Sequence, residues 1–346
     1  MSPIDHSPLD ELPTPPPGKS VWPWTTQGPP LPQTMADGSP WPRISLVTPS
    51  YNQGRFLEKT IRSVLLQKYP NLEYIVMDGG STDHSVNILR TYSPWLTHWV
   101  SQPDHGQSHA INQGFAVASG QIFGWLNSDD FLLPRALERV AMAYRQNPSA
   151  VAWAGSCHFI DLEDRILQVQ APRGLERDSI ADWWNVGAFC QPSCLIAAWA
   201  WRDANGLDES LHYAMDLDLW LRLGSLGQFA TVPHSLSATL VHRLAKTQAN
   251  VPEVHAEVVY VQIKHGFREA AMRRLLPLLR NTPPKVRLHM LLKTKLRRAF
   301  HRIGLRRKRT QEDRQLLQEA IAEQLQDDLC TPATDRAGNV LQPHPA

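Results

Sequence analysis

Two spacings of apolar residues alternate along residues 43–145. Short apolar segments of strand length lie at 44–48, 72–77, 98–100 and 121–126. Between these segments, apolar residues recur three and four positions apart, as they do on one face of a helix. The pattern therefore predicts strands that alternate with helices.

The predicted helices show either an apolar face or a capping residue at the start. Ser81, Thr82 and Asp83 are N-cap candidates for a helix that runs to about residue 90. The apolar faces of the other helices comprise Leu57, Ile61, Val64 and Leu65, then Ile111, Phe115 and Ala118, then Leu133, Leu137, Val140, Ala141 and Tyr144. Strands connected by helices form βαβ units, so we expect an α/β fold with a mostly parallel central sheet and flanking helices.

Polar residues cluster where the predicted strands end, at 51–52, 78–83, 104–107 and 127–130. In a parallel sheet, ligands bind beyond the carboxyl ends of the strands. We therefore expect these four clusters to form one site. The alternative is that they are polar loops of the kind that cap any sheet.

Composition adds limits to this interpretation. The chain has 346 residues, 42% of them hydrophobic and 20% charged, and a net charge of +2. This size fits one large α/β domain with appendages or two modest domains. No apolar stretch approaches the roughly 18 residues of a spanning helix, and no signal peptide is apparent. The four cysteines form no C-x-x-C pair, which favours a reduced, cytoplasmic compartment.

The regions on either side of the α/β pattern differ from it in composition. Residues 1–40 hold eleven of the 28 prolines and predict a flexible or polyproline-like arm. We assign 41–250 to the main domain, with a first half at 41–130 and a second half at 150–250. Residues 251–346 are expected to be a helical, basic extension with a flexible tail.

The segment 285–309 contains eleven lysines and arginines and no acidic residue. Apolar residues occur in it at near-helical spacing, so one interpretation is an amphipathic helix bound to anionic lipid at the inner face of the plasma membrane. The alternatives are a solvated basic tail and a helix packed on the domain. The segment carries no recognisable nucleic-acid motif, so we expect no nucleic-acid partner.

Several carboxylates stand where chemistry is expected. Asp129 and Asp130 follow a predicted strand, and adjacent carboxylates suit a hard divalent cation such as Mg²⁺ or Mn²⁺. Asp78 ends a strand beside two glycines and could accept a hydrogen bond from the N–H of a base. Each of these aspartates could instead cap a helix or a turn.

The second half of the main domain contains a candidate general base and a further candidate metal ligand. Asp216, in the segment before an apolar run, could accept a proton from a hydroxyl, with Asp218 orienting or capping. His242 could bind the metal ion or contact a diphosphate, although a lone histidine also serves structural roles. There is no G-x-G-x-x-G motif after the first strand, no H-E-x-x-H motif and no G-x-S-x-G motif, which weakens hydride-transfer and hydrolase alternatives.

Together these segments resemble family 2 glycosyltransferases of the inverting GT-A type. The similar blocks, in the family's order and spacing between about 43 and 248, are 47–57, 74–83, 104–114, 124–130, 191–193 and 206–223. The sequence departs from the family pattern at Asn127, where the first acid of D-x-D is common, at Met215, where glutamate is common, and at Leu240, where arginine is frequent.

The resemblance implies roles for individual residues. Asp216 corresponds to the general base, and the metal ligands would be Asp129, Asp130 and His242. The donor-binding set would be Pro49, Ser50, Tyr51, Asp78, Asp104, Gln107, Asn112, Asn127, Ser128 and Asp129. The acceptor side would comprise Gln191, Asp218 and Trp220.

The resemblance also implies an activity: transfer of a sugar from a nucleotide-diphosphate sugar to an acceptor hydroxyl, assisted by Mn²⁺ or Mg²⁺. A UDP-sugar is favoured, with GDP- and dTDP-sugars open, and the acceptor would be a glycan or a lipid-linked molecule of bacterial cell-surface polysaccharide synthesis. Two alternatives are a nucleotidyltransferase and a non-catalytic module that binds nucleotide sugars. The first would carry a glycine-rich basic loop after the first strand, and the loop at 49–55 is poor in both.

Overall fold

The computed structural model describes residues 12–27, 30–183, 188–242 and 251–280. Backbone contacts divide the chain into two units, Met1–Arg243 and Leu244–Ala346, and each is described by itself.

The first unit is built on a mixed sheet. Among the described residues, its strands are β1 (Ile44–Ser50), β2 (Leu72–Asp78), β3 (His98–Ser101), β4 (Ile122–Trp125), β5 (Asp130–Leu132), β6 (Ala152–Ile160), β7 (Ile166–Gln170), β8 (Cys194–Ala197) and β9 (Phe229–Leu240). Their order is β3-β2-β1-β4-β8-β6-β9-β5, and β7 pairs with β6.

Helices and two short 3₁₀ turns connect these strands. They are α1 (Gly54–Leu65), α2 (Ser85–Tyr92), α3 (Gln107–Ala116), α4 (Ala136–Gln146), α5 (Arg177–Ala181), α6 (Ala198–Asp203) and α7 (Met215–Leu226), with 3₁₀ turns at Ser93–Trp95 and Gln191–Ser193. In α1, Leu57, Ile61 and Val64 are fully buried, as their spacing predicts.

The strand and helix pattern expected for 43–145 is confirmed, with differences at some helix ends. Ala118 lies beyond α3, since the helix closes in a turn in which the Ala118 N–H donates to Phe115. Leu133 precedes α4, because its N–H donates to the Leu236 carbonyl in β9 and so extends the strand contact.

Parallel pairing is confined to part of the sheet. β3, β2, β1 and β4 are parallel neighbours, and β6 pairs in parallel with β9. The pairs β4–β8, β6–β8, β5–β9 and β6–β7 are antiparallel. The expectation of a mostly parallel sheet therefore holds for the first half, where helices connect the strands, while the second half is mixed because a tight turn links β6 to β7.

In the proline-rich segment, the described residues 12–27 and 30–40 include side chains packed inside the first unit, whereas a flexible arm was expected over 1–40. Leu12 and Trp24 are buried. The buried guanidinium of Arg62 in α1 donates hydrogen bonds to the carbonyls of Pro13, Pro23 and Trp24. Proline has no backbone N–H, so the carbonyls of a proline-rich segment have few backbone donors nearby. Here the side chain of Arg62 in α1 supplies the donors.

The second unit contains α8 (Val251–Lys264) and α9 (Arg268–Arg280), which contact each other. Gly266 lies between them with a φ of 89°, a conformation that favours glycine. In the part of the chain that the structure describes, no helix has both the length and the apolar character that crossing a membrane requires. The predicted amphipathic segment 285–309 lies outside the described residues.

We expect Arg62→Ala to lower the free energy of unfolding by about 3 kcal/mol, because it leaves buried carbonyls without a donor. The loss should appear in urea unfolding, and amide exchange should accelerate across residues 12–27. Arg90→Ala, which removes an exposed arginine from α2, serves as the control and should change stability by less than about 0.5 kcal/mol. Unchanged exchange across 12–27 in Arg62→Ala would contradict the anchoring role.

Candidate functional site

The parallel strands bring their polar ends together at one edge of the sheet. Ser50 pairs in register with Asp78, and Asp78 pairs with Ser101. The carboxylate of Asp78 is buried and accepts hydrogen bonds from the Ser81 N–H, at 2.9 Å, and from the hydroxyls of Ser81 and Ser101, each at 2.6 Å. These donors fix the orientation of the Asp78 carboxylate. A carboxylate oxygen can accept more than one hydrogen bond, so Asp78 can also accept one from a ligand.

The loop after β1 presents an aromatic side chain at this edge. Pro49 and Ser50 are buried within β1, whereas the Tyr51 side chain is 62% exposed. The Gly79 N–H donates to the Ser50 carbonyl, so this loop begins directly beside the end of β2. Tyr51 is therefore available to contact a ligand bound near Asp78.

Asp104 lies against the glycines that follow Asp78. Its carboxylate accepts a hydrogen bond from the Gly106 N–H at 2.7 Å. A Cβ atom at Gly79 would lie 2.9 Å from Asp104 Oδ2, so a larger residue there would displace the Asp104 carboxylate. Asp78 and Asp104 thus occupy neighbouring loops, and their contact with a donor stays a prediction.

A network of side-chain amides lies at the end of β4, with Asn127 at its centre. Asn127 Oδ1 accepts a hydrogen bond from Gln107 at 2.8 Å, and its Nδ2 donates to Asp130 at 3.1 Å and lies 3.4 Å from Gln191 Oε1. Gln191 in turn donates to the Trp125 carbonyl at 2.8 Å. Asn127, Gln107 and Gln191 therefore meet, and Asn127 takes a bridging role where the family pattern has an acid.

Asp129 and His242 form the part of this site that suits a cation. Asp129 Oδ2 lies 3.2 Å from His242 Nε2, and the Asp129 side chain is 23% exposed. The ring of Phe56 packs against His242 with ring centroids 5.0 Å apart. The buried Nδ1 of His242 has no hydrogen-bond partner among the described residues. A carboxylate oxygen and an imidazole nitrogen are donors that Mn²⁺ accepts, so this pair fits part of a metal site.

Asp130 is a buried support for Asn127, which corrects the metal-ligand role expected for it. Its side chain is 4% exposed and hydrogen-bonds with Asn127 and Thr239. Burial, together with the charge of Asp129, raises the pKa of Asp130 well above its usual range. Within the described ranges, no three His, Cys, Asp or Glu side chains form a group that could hold a metal ion by themselves.

Ser128, between these aspartates and Asn127, is also buried. The hydroxyl of Thr60 in α1 donates to the Ser128 carbonyl at 2.9 Å and lies 2.7 Å from the Asp130 carbonyl. The backbone around Asp129 is thus held by α1, and a donor contact of the Ser128 side chain stays a prediction.

The start of α7 carries Asp216 and is tied to the same edge of the sheet. Asp216 is partly exposed in the first turn, where its carboxylate accepts a hydrogen bond from the Leu217 N–H. The preceding residue, Met215, places its sulfur 2.7 Å from the hydroxyl of Ser108. Ser108 follows Gln107, which donates to Asn127. Two hydrogen bonds, made by the sequence neighbours Ser108 and Gln107, therefore connect the helix that bears Asp216 with the end of β4.

Asp218 and Trp220 face the interior, which corrects their expected position on the acceptor side. Both side chains are fully buried. Asp218 pairs with Arg222 at 2.8 Å, and Trp220 stacks on Trp125 with ring centroids 5.5 Å apart. Asp216 and Asp218 lie two positions apart on a helix and so point in different directions.

Asn112 holds the chain that leads into α7. Its amide donates to the Leu207 carbonyl at 3.0 Å and to Glu209 at 2.8 Å, and its carbonyl accepts from the Leu207 N–H. The side chain thus positions the loop before α7, and a direct donor contact for Asn112 stays a prediction.

The sequence predicted no individual role in this site for Ser81, Ser101 or Phe56. Ser81 belongs to the predicted polar cluster 78–83 and was a helix-cap candidate. The alignment of Ser101 with Asp78 could have been expected from two parallel strands that end together. The contact of Phe56 with His242 joins residues far apart in the chain and gives no local signal.

Comparison with protein families identifies the domain. The model of glycosyl transferase family 2 matches residues 45–197, which include β1 to β4 and the network around Asn127. Residues 45–197 are therefore a glycosyltransferase family 2 domain.

The curated relatives match this chain over part of their length. It is 28% identical over 193 residues to the chondroitin synthase of Escherichia coli, a match that covers 54% of this chain and 27% of that protein. It is 32% identical over 135 residues to an uncharacterized glycosyltransferase of Nostoc sp., covering 38% of this chain and 42% of that protein. The chain thus spans less than half the length of both relatives.

Solved structures confirm the GT-A fold of the first unit. The structure of S. aureus TarS in complex with UDP-GlcNAc is similar with a TM-score of 0.52 at 14% identity, covering 67% of this chain and 70% of that chain. A mannosyltransferase of Pyrobaculum calidifontis, in complex with GDP-Man and Mn²⁺, has a TM-score of 0.51 at 17% identity, covering 84% and 87%. At these identities the similarity concerns the fold alone.

We expect Asp218→Asn to lower the free energy of unfolding by about 2 kcal/mol, because Arg222 loses its buried partner. Urea unfolding measures the change. Asp203→Asn, at an exposed aspartate that ends α6, should stay within about 0.5 kcal/mol of the parent protein. A variant Asp218→Asn as stable as the parent would show that the ion pair with Arg222 does not hold α7.

Proposed function

We propose that this chain transfers a sugar from a nucleotide-diphosphate sugar to an acceptor hydroxyl, with inversion at the anomeric carbon. The observation that carries the proposal is the convergence of three features at one sheet edge. These are the buried acceptor Asp78, the Asp129–His242 pair, and the start of α7 with Asp216, linked to Asn127 through Gln107 and Ser108. The glycosyltransferase relatives support this assignment.

The donor would bind along the ends of β1 to β4. Asp78, held by serine donors, can accept a hydrogen bond from the N–H of a base, and Tyr51 can pack against the nucleoside. A UDP-sugar is our first choice, supported by the TarS structure with UDP-GlcNAc. GDP-sugars stay open because the Pyrobaculum protein was solved with GDP-Man, and dTDP-sugars stay open as well.

Asp129 and His242 would hold a divalent cation, Mn²⁺ or Mg²⁺. When bound, such a cation offsets the negative charge of the departing nucleoside diphosphate. Asp130 supports the neighbouring backbone and Asn127, and Phe56 packs on the imidazole of His242. The Mn²⁺ in the Pyrobaculum structure supports this choice of ion.

Asp216 would act as the general base in a single displacement. Its carboxylate accepts the proton of the acceptor hydroxyl. The hydroxyl oxygen forms a bond to the anomeric carbon while the bond from that carbon to the diphosphate oxygen breaks. Attack from the face opposite the nucleotide inverts the configuration, and the nucleoside diphosphate leaves with the electron pair.

The acceptor would be a growing glycan or a lipid-linked sugar, in the synthesis of bacterial cell-surface polysaccharide. The chondroitin synthase of E. coli, a polysaccharide-forming relative by its name, supports this class. The basic segment 285–309 would hold the protein against the cytoplasmic face of an anionic membrane. Gln191, whose amide joins Asn127 to β4, would border the acceptor.

Two other functions remain as alternatives. A non-catalytic module would bind the nucleotide sugar at the same edge without transferring the sugar, and assays of donor hydrolysis with Mn²⁺ separate it from an enzyme. A nucleotidyltransferase would release pyrophosphate from a nucleoside triphosphate, and the segment 49–55 at the end of β1 is poor in the glycines and basic residues expected for that chemistry.

We expect Asp216→Asn to lower the transfer rate by roughly 10²–10⁴-fold, because an amide cannot accept the hydroxyl proton. The affinity for UDP should stay within about twofold of the parent value. Release of UDP from a donor panel measures the rate. Asp178→Asn is the control, since Asp178 is likewise an aspartate in the first turn of a helix, α5, and its side chain is exposed. Near-normal transfer by Asp216→Asn would place the base elsewhere.

We expect UDP to raise the melting temperature of the protein only when Mn²⁺ is present, and EDTA to abolish the rise. Asp129→Asn and His242→Ala should each remove most of this metal-dependent stabilisation, because each loses a ligand. His234→Ala, at an exposed histidine in β9, should keep it. Equal stabilisation by UDP in Mn²⁺ and in EDTA would argue against the metal site.

A further inference from the structure

The loops that follow β1 and β2 are hydrogen-bonded to each other beside the proposed nucleoside site. Four residues make the contacts, and we call them the loop clamp: Asn52, Ser81, Thr82 and Asp83. Because Tyr51 and Asp78 lie in or next to the two loops, the loop clamp sets their separation.

Asp83 joins the starts of two helices. Its Oδ2 accepts a hydrogen bond at 2.9 Å from the N–H of Gly54, the first residue of α1. Its Oδ1 accepts another at 2.9 Å from the N–H of Ser85, the first residue of α2. A carboxylate satisfies free N–H groups at a helix start and interacts favourably with the helix dipole. Although partial burial opposes the charged form, these hydrogen bonds lower the pKa of Asp83.

Asn52 makes the second link of the loop clamp. Its N–H donates to the Ser81 hydroxyl oxygen at 2.7 Å, and its Oδ1 accepts the Thr82 N–H at 2.8 Å. The backbone of Asn52 has a φ of 53°, a left-handed conformation that asparagine tolerates better than most residues. Both polar contacts of Asn52 therefore reach across to the loop after β2.

The link continues to the residue that would contact the base. The hydroxyl of Ser81, which accepts from Asn52, donates to Asp78 Oδ1 at 2.6 Å. The chain of hydrogen bonds thus runs from Asn52, next to Tyr51, to the carboxylate of Asp78. His84 also packs on Gly54 so closely that a Cβ there would lie 2.8 Å from the imidazole ring.

We propose that Asn52 and Asp83 are positioning residues that hold the nucleoside side of the donor pocket in its binding shape before the nucleotide arrives. This inference rests on the proposed function, because it concerns the same donor site. Neither residue needs to touch the ligand. Loops that are already ordered lose less conformational entropy on binding, so the loop clamp contributes to nucleotide affinity.

The test compares nucleotides that differ in the number of phosphate groups and therefore in how much of the proposed site they occupy. UMP occupies the nucleoside side and one phosphate position, whereas UDP also reaches the Asp129–His242 pair. Titration calorimetry on the full-length protein with Mn²⁺ measures both affinities, and GMP with GDP form a second pair. Asp83→Asn should weaken UMP and UDP by the same factor, roughly tenfold, the effect of about one lost hydrogen bond. An amide keeps one acceptor oxygen and cannot serve both helix starts.

Asn52 variants separate the side chain from the backbone. Asn52→Gly keeps the left-handed conformation and removes the acceptor, so it should weaken both nucleotides like Asp83→Asn. Asn52→Asp restores an acceptor oxygen and should recover most of the affinity. Asp129→Asn should weaken UDP and leave UMP unchanged. In transfer assays the loop-clamp variants should raise the KM for the donor and change kcat by less than about twofold, since they act on binding.

The outcomes separate this inference from the proposed function. If the parent protein binds none of the four nucleotides, the proposed function fails. If the parent binds them and Asp83→Asn and Asn52→Gly bind equally well, only the positioning role fails. A loss of UDP affinity without a loss of UMP affinity would also overturn it, because the loop clamp lies on the nucleoside side. If Asp83→Asn does not fold, Asn52→Gly and Asn52→Asp decide the question alone.

Discussion

The site depends on the parallel pairing of β1, β2, β3 and β4. Parallel strands share one direction, so their carboxyl ends and the loops that follow meet at one edge of the sheet. Ser50, Asp78 and Ser101 stand side by side in this register, and the Gly79 N–H continues the pairing into the loop by donating to Ser50. Polar groups that are distant in sequence thereby become neighbours without any contribution from a ligand.

Side chains then connect these loops into a fixed arrangement. Asn127 bridges the end of β4 to α3 through Gln107, and Asp83 joins the starts of α1 and α2. Each of these contacts satisfies polar groups at a strand or helix end, where backbone donors and acceptors lack regular partners. The same hydrogen bonds that stabilise the loops therefore also give the edge a defined shape, into which Asp129 and Asp216 bring partly exposed carboxylates.

Much of this arrangement could be predicted from the sequence, because strand ends carry a local signal. Asp78 and Asp129 were predicted from an apolar segment followed by polar residues, and their contacts with a ligand stay predictions. Burial depends on contacts far along the chain, so Trp220 was expected at the acceptor side and instead stacks on a strand residue in the core. Arg62 is not part of the predicted apolar face of its helix, yet it is buried, and its partners lie about forty residues earlier in a segment expected to be flexible. Asp130 was misjudged for the same reason, since only the fold shows that it faces inward.

The most direct test of the shared site is amide hydrogen exchange of the full-length protein with and without saturating UDP and Mn²⁺. One cleft built from several strand ends predicts slower exchange in every contributing loop at once, namely residues 49–54, 78–83, 101–107, 126–130 and 214–217. Protection confined to one of these loops, or no protection in the presence of bound nucleotide, would contradict the account.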